Sequence, residues 1–141
     1  MSLEENKRLI HQFFDGVNAR DMGAFEVFAP DAVHHNPFPG TPPGREGNKQ
    51  GMMLLFAAFP DWQTTIEDLI AEGDKVVVRM TQRGTHRGTF FGLAATGKQV
   101  TVAGMAIFRL RNGQIVEEWL VTDQLSAMQR IGGIEGWRQT P

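Results

Sequence analysis

Residues 99–123 read QVTVAGMAIFRLRNGQIVEEWLVTD, and this stretch decides the fold. Gln99 to Leu110 reads as a strand. Arg111-Asn112-Gly113 contains the Asn-Gly pair that favours a tight hairpin turn. Ile115 to Asp123 reads as the returning strand. Side chains alternate sides along a strand, so Ile115, Glu117, Trp119, Val121 and Asp123 are expected on one face. That face becomes apolar toward Asp123. A carboxylate beside an aromatic ring and a valine is expected to be partly desolvated, which disfavours its charged form. Such a group can take and return a proton near neutral pH. The competing reading of Asp123 is a solvated strand end, or a cap on the helix that starts at Gln124.

Two more strands precede the hairpin, Trp62 to Ala71 and Lys75 to Gly84, joined by Glu72-Gly73-Asp74. One helix follows it, Gln124 to Ile131, stopped by Gly132-Gly133. The N-terminal half is helical. Ser2-Leu3-Glu4-Glu5 has the Ser-x-x-Glu form of a capping box, and Leu9, Ile10, Phe13, Phe14 and Val17 form one stripe behind it. Asp21 is placed to cap a short second helix with Met22, Phe25 and Phe28 inside, ended by Pro30. Ala32 to Asn36 is a short extended piece. Pro37 to Gly44 is rich in breakers and reads as a loop. A third helix follows, with Met52, Leu55, Phe56 and Phe59 on one face and Pro60 at its end. Helices first and antiparallel strands afterwards make an α+β plan, with helices packed on one face of a sheet.

The chain has 141 residues, enough for one domain with a core of its own. A net charge of −2 and the lack of a basic block argue against nucleic acid and acidic membrane surfaces as partners. With no cysteine there is no disulfide, no thiolate metal site and no cysteine nucleophile, which agrees with a cytoplasmic home. Met1 to Lys7 lacks an apolar signal core. No apolar run approaches the ~20 residues that span a bilayer.

Four stretches together resemble the SnoaL-like polyketide cyclases, of the nuclear transport factor 2-like superfamily. They are Val33-His34-His35-Asn36-Pro37; Ala58-Phe59-Pro60-Asp61 with Ile66 to Val76; Gly84-Thr85-His86-Arg87-Gly88 continuing to Thr96-Gly97-Lys98; and Gly113 to Trp119 with Asp123-Gln124-Leu125. The resemblance runs from about Glu4 to Gly132. It implies one SnoaL-like domain over 1–141, with a core of 4–132 and a tail of 133–141. The fold would be an α+β cone, a curved antiparallel sheet whose concave face is covered by the N-terminal helices, with a pocket between them. It further implies a homo-oligomer, a dimer or tetramer, and a small apolar or polyketide-like ligand. In the characterised cyclases an Asp matching Asp123 removes an acidic carbon proton from a polyketide ester, the carbanion closes a ring by aldol attack, and no metal or organic cofactor is needed. The neighbouring strand, where such cyclases often carry a second polar group, reads Gly104-Met105-Ala106-Ile107-Phe108 here. That partner role would fall to His35, Asn36 or His86.

Single residues remain open between function and structure. His35 is a candidate donor to a substrate oxygen or a structural His near Pro37. His34 is expected to point the other way and to be exposed. His86 sits among glycines that suggest a bulge, as a substrate contact or a structural residue. Trp119, Phe14 and Phe56 are candidate pocket walls, though aromatic residues at such spacing are usually core. The Pro37–Gly47 loop is a mouth or an ordinary surface loop, and Arg45, Lys49 and Arg87 bind an acidic group or face solvent. The four histidines show no metal-ligand spacing, and no nucleophile elbow surrounds Ser2 or Ser126. An isomerase, hydratase or dehydratase could use the same Asp. A non-catalytic binding module and a dimerisation scaffold are the rivals from other classes. Glu135-Gly136-Trp137 suits an oligomer contact or a disordered end.

Overall fold

The computed structural model describes residues 2–133. Helix α1 (Leu3–Asn18) starts as its sequence predicts, with the Ser2 hydroxyl accepting the Glu5 backbone N–H at 3.1 Å. Its buried stripe is Asn6, Ile10, Phe13, Phe14 and Val17. The expected second helix is only a 3-10 helix, Met22–Val27, with Asp21 capping Gly23. Phe28 already belongs to strand β1 (Phe28–His34), where its ring is fully buried.

Pro30 sits inside that strand without harm. Regular pairing of β1 lapses between Phe28 and Val33, so no ladder bond is lost to its missing N–H. Gly44 opens helix α2 (Gly44–Ala58) against this irregular segment. Its φ is +82°, and a Cβ there would lie 2.5 Å from the Pro30 carbonyl oxygen, so only glycine fits.

Strands β2 (Gln63–Glu72), β3 (Lys75–Thr85), β4 (Gln99–Arg111) and β5 (Gln114–Thr122) are antiparallel in sequence order, and β1 adds to β5. The sheet order is β1-β5-β4-β3-β2. The β1–β5 pair is parallel, so the sheet is mixed and not antiparallel throughout. Helix α3 (Gln124–Ile131) packs against β4 and ends at Gly132 in the left-handed conformation.

The covered face carries Val76, Val78 and Met80 of β3 and Ala106, Phe108 and Leu110 of β4, all buried. They meet Phe13 and Phe14 of α1, with Phe25 and Phe28, in one apolar cluster. A second cluster lies toward the start of β4: Ala58, Phe59, Trp62, Val100, Val102 and Ile131. The opposite face is open, leaving Ile70, Met105 and Val121 more than half exposed. The fold is nuclear transport factor 2-like, as expected. Among the described residues no helix is long and apolar enough to cross a membrane. The tail residues Glu135 to Trp137 lie outside the described residues.

Candidate functional site

A single extra residue rearranges the chemistry of β5. Leu110 pairs with Ile115 and Arg109 with Glu117, so Val116 is a bulge. Ile115 faces the covered side. Beyond the bulge the parity reverses: Glu118 faces Phe108 and Leu120 faces Ala106 on the covered side, while Glu117, Trp119 and Val121 turn outward. Strict alternation through Ile115, Glu117 and Trp119 is therefore overturned.

The acid that this reversal brings inside is Glu118. Its side chain is 10 % exposed, and its Oε1 lies 3.0 Å from Nδ1 of His34, whose side chain is 8 % exposed. Parallel pairing sets His34 beside Glu118 and turns Val33 outward with Glu117. The exposed position expected for His34 is thus a buried one. Its ring lies 5.3 Å from that of Phe28. With the carboxylate accepting the Nδ1–H, the neutral form of the ring carries its lone pair on Nε2. That Nε2 is buried and has no hydrogen-bond partner among the described residues. An unsatisfied buried polar group costs about 1–3 kcal/mol, so such atoms gather where chemistry uses them.

The residues named from sequence are dispersed. His35 and Trp119 lie on the outer face, ring on ring at 4.8 Å and 5° apart. His35 Nε2 sits 2.7 Å from Glu117 Oε2, and Arg109 Nε donates to Glu117 Oε1 at 2.8 Å. The Arg109 bond first, then the His35 bond, holds the Glu117 carboxyl below its ordinary value. Asn36 is exposed. Phe14 is core, edge-on to Phe108. Phe56 is half-buried under the Arg20 guanidinium, 3.8 Å from its centroid. His86 is fully buried in the second cluster region, near Phe59. The Pro37–Gly47 loop is partly tied down, since Phe38 stacks on Phe91 at 5.3 Å. Arg45 is not free surface either; its Nη1 donates to the Phe28 carbonyl and pairs with Glu26.

Asp123 corrects the expectation most sharply. The desolvation read into it is outweighed: the residue is exposed and caps α3, accepting the Ser126 N–H at 3.1 Å and the Ser126 hydroxyl at 2.6 Å. Both bonds, the hydroxyl's first, push its carboxyl below the ordinary 3.8. A group with a depressed folded pKa stabilises above its unfolded pKa, and that contribution is lost as pH falls through the folded value. Asp123→Ala should therefore lower Tm at pH 7, with the gap to the parent closing below about pH 3.8. Thermal melts at pH 7 and pH 2.5 check this; a gap that persists in acid would remove the cap as its cause.

The sequence reading missed the His34–Glu118 pair. The double His at 34–35 and double Glu at 117–118 were its only trace, because each doublet sends one member to each face. Apart from the sheet, a hollow of about 170 Å³ between α1 and the 3-10 helix is lined by Leu9, Gln12, Phe13, Ala24 and Val27, none of them titratable. Among the described residues no three His, Cys, Asp or Glu side chains are grouped to hold a metal ion.

Comparison with known proteins fits this frame. The model of the SnoaL-like polyketide cyclase family matches residues 8–131, and the chain belongs to that family. Among solved structures it resembles AclR, a candidate hydroxylase from Streptomyces galilaeus, at 28 % identity and TM-score 0.85, covering 99 % of this chain and 87 % of that one. It also resembles TsrD from Streptomyces laurentii, at 27 % identity and TM-score 0.85, over 95 % and 99 %. IdmH, a candidate polyketide cyclase from Streptomyces antibioticus, is 33 % identical with TM-score 0.79, over 90 % and 98 %. Among curated proteins no match was found.

Proposed function

We propose that this protein is an acid–base enzyme of the polyketide cyclase type, acting on a small apolar carbonyl compound, with His34 moving the proton and Glu118 holding His34. The buried Nδ1–carboxylate bond with a free Nε2 is the observation that supports this reading. Carbon flanked by two carbonyls is acidic enough for an imidazole to deprotonate. Nε2 takes that proton, and the enolate carbon forms the new C–C bond to a second carbonyl of the same molecule. The resulting alkoxide takes the proton back from Nε2–H, so the His returns to its starting state. An isomerisation or dehydration would use the same proton transfer. The resemblance gives Asp123 the base role by its position, whereas its exposure and its bonds to Ser126 support a capping role. The test is turnover of a screened β-dicarbonyl ester by His34→Gln, Glu118→Gln and Asp123→Asn.

That exposed Asp123 also favours the rival reading, a binding module without chemistry, which predicts binding and no conversion in the parent chain. In either case the open sheet face supports a homo-oligomer, because Ile70, Met105 and Val121 are 59 %, 54 % and 67 % exposed on it. Met105→Asp should shift sedimentation toward the monomer. An unchanged sedimentation coefficient would exclude that face.

A further inference from the structure

Two buried N–H donors beside Phe59 of the second apolar cluster have no acceptor among the described residues. Trp62 is 7 % exposed and His86 is fully buried. Trp62 Nε1 and His86 Nε2 both lack a partner among the described residues. The indole nitrogen can only donate. The state of His86 follows from its other nitrogen. The Thr96 backbone N–H donates to His86 Nδ1 at 3.3 Å, and the Thr96 hydroxyl lies 3.0 Å from the same atom. A backbone N–H cannot accept, so Nδ1 is the acceptor and the ring proton sits on Nε2. Both orphans are therefore donors.

Both donors' rings lie against one ring. Phe59 lies 5.3 Å from Trp62 and 5.4 Å from His86, centroid to centroid. The strand after Phe59 is built to keep them there. Gly84 is bare under Trp62, where a Cβ would lie 2.7 Å from the indole Cε3. Asp61 ties the turn to β3 by accepting the Thr85 N–H and hydroxyl, both at 2.7 Å. On its outer side Phe59 is covered by Phe90, edge-on at 5.2 Å and itself half-buried. Phe90 belongs to a tight turn closed by the Phe90–Leu93 bridge, in which Phe91 has a φ of +46°.

We propose that Trp62 and His86 form a ligand subsite for a neutral hydrogen-bond acceptor, a carbonyl oxygen on a flat apolar molecule, entered past Phe90. It is separate from the His34–Glu118 pair. Glu118 pairs with Phe108 and Gly84 with Val100, eight residues apart on β4, or about 26 Å at strand rise. The subsite is buried, so an uncharged acceptor oxygen enters it without the cost of desolvating a carboxylate.

The probe is 4′-fluoroacetophenone, a flat neutral ketone, titrated into the whole chain. Binding should move the Trp62 indole N–H and the His86 Nε2–H resonances downfield together. Trp62→Phe keeps an aromatic ring but deletes one donor, and should weaken the probe about tenfold. The same titration of His34→Gln should give the parent's shifts, because the dyad is elsewhere. Stationary Trp62 and His86 resonances up to the probe's solubility limit would overturn the subsite whatever the dyad variants do in turnover. Equal affinity in Trp62→Phe would overturn it as well.

Discussion

His34→Gln should keep the fold and lower turnover by about 10²–10⁴-fold, the usual contribution of a positioned acid–base group. Gln is the informative replacement because its amide can still donate to Glu118. His34→Ala would strand a carboxylate that is 10 % exposed, and breaking a buried charged pair costs about 3–5 kcal/mol, so lost turnover could be mistaken for unfolding. Glu118→Gln is the second arm. A Gln there keeps an acceptor oxygen but loses the charge, and can present its amide N–H instead, so the bond that sets the imidazole tautomer is weakened, and turnover should fall while ligand binding stays. Asp123→Asn is the control. On this reading its exposed carboxylate serves as the cap of α3, and an Asn caps nearly as well, so rate and stability should stay close to the parent. Ligand binding followed by tryptophan fluorescence separates lost chemistry from lost affinity. Full turnover in His34→Gln with none in Asp123→Asn would return the proton to Asp123. No conversion by the parent chain, with binding intact, would leave the binding module.

The reason these residues were hard to read lies in one backbone feature. The hairpin around Asn112-Gly113, the strands on either side and α3 over Gln124–Ile131 follow from local pattern and turn chemistry, and they fall where expected within a residue or two. Which face a strand residue takes is a count of parity, and one inserted residue inverts it. Val116 is that residue, and no glycine or proline marks it. The inversion exchanged Glu118 for Glu117 as the inward acid and sent Trp119 outward. The parallel seat of β1 on β5 is equally silent locally, because it depends on how Phe28 and His34 meet residues more than eighty positions away. His34 and Glu118 are thus adjacent only through long-range pairing. The exposure of Asp123 has a different cause: the strand ends at Thr122, so its side chain answers to the helix it caps, the competing reading of its sequence, and not to the strand face.

Phe13→Ala should be the most destabilising of the core truncations, by about 3–5 kcal/mol in urea unfolding. Phe13 is 5 % exposed and touches four other rings edge-on: Phe14 at 5.3 Å, Phe25 at 5.2 Å, Phe28 at 5.1 Å and Phe108 at 6.4 Å. Those partners come from α1, the 3-10 helix, β1 and β4, so one side chain joins the helical layer to the sheet. Edge-to-face pairs add about 0.5–1.5 kcal/mol each beyond the area they bury. Phe13→Leu separates the two contributions, because it keeps most of the volume and loses the ring geometry; it should cost clearly less than Phe13→Ala. The effect reaches the candidate site. Phe28 lies against the His34 ring, and Phe108 faces Glu118 across the β4–β5 pair. A cavity at Phe13 loosens both supports of the dyad, so turnover in Phe13→Ala should fall even at temperatures where the variant is fully folded. A loss of less than about 1 kcal/mol would mean that the cluster collapses around the gap, which close-packed aromatic rings seldom allow.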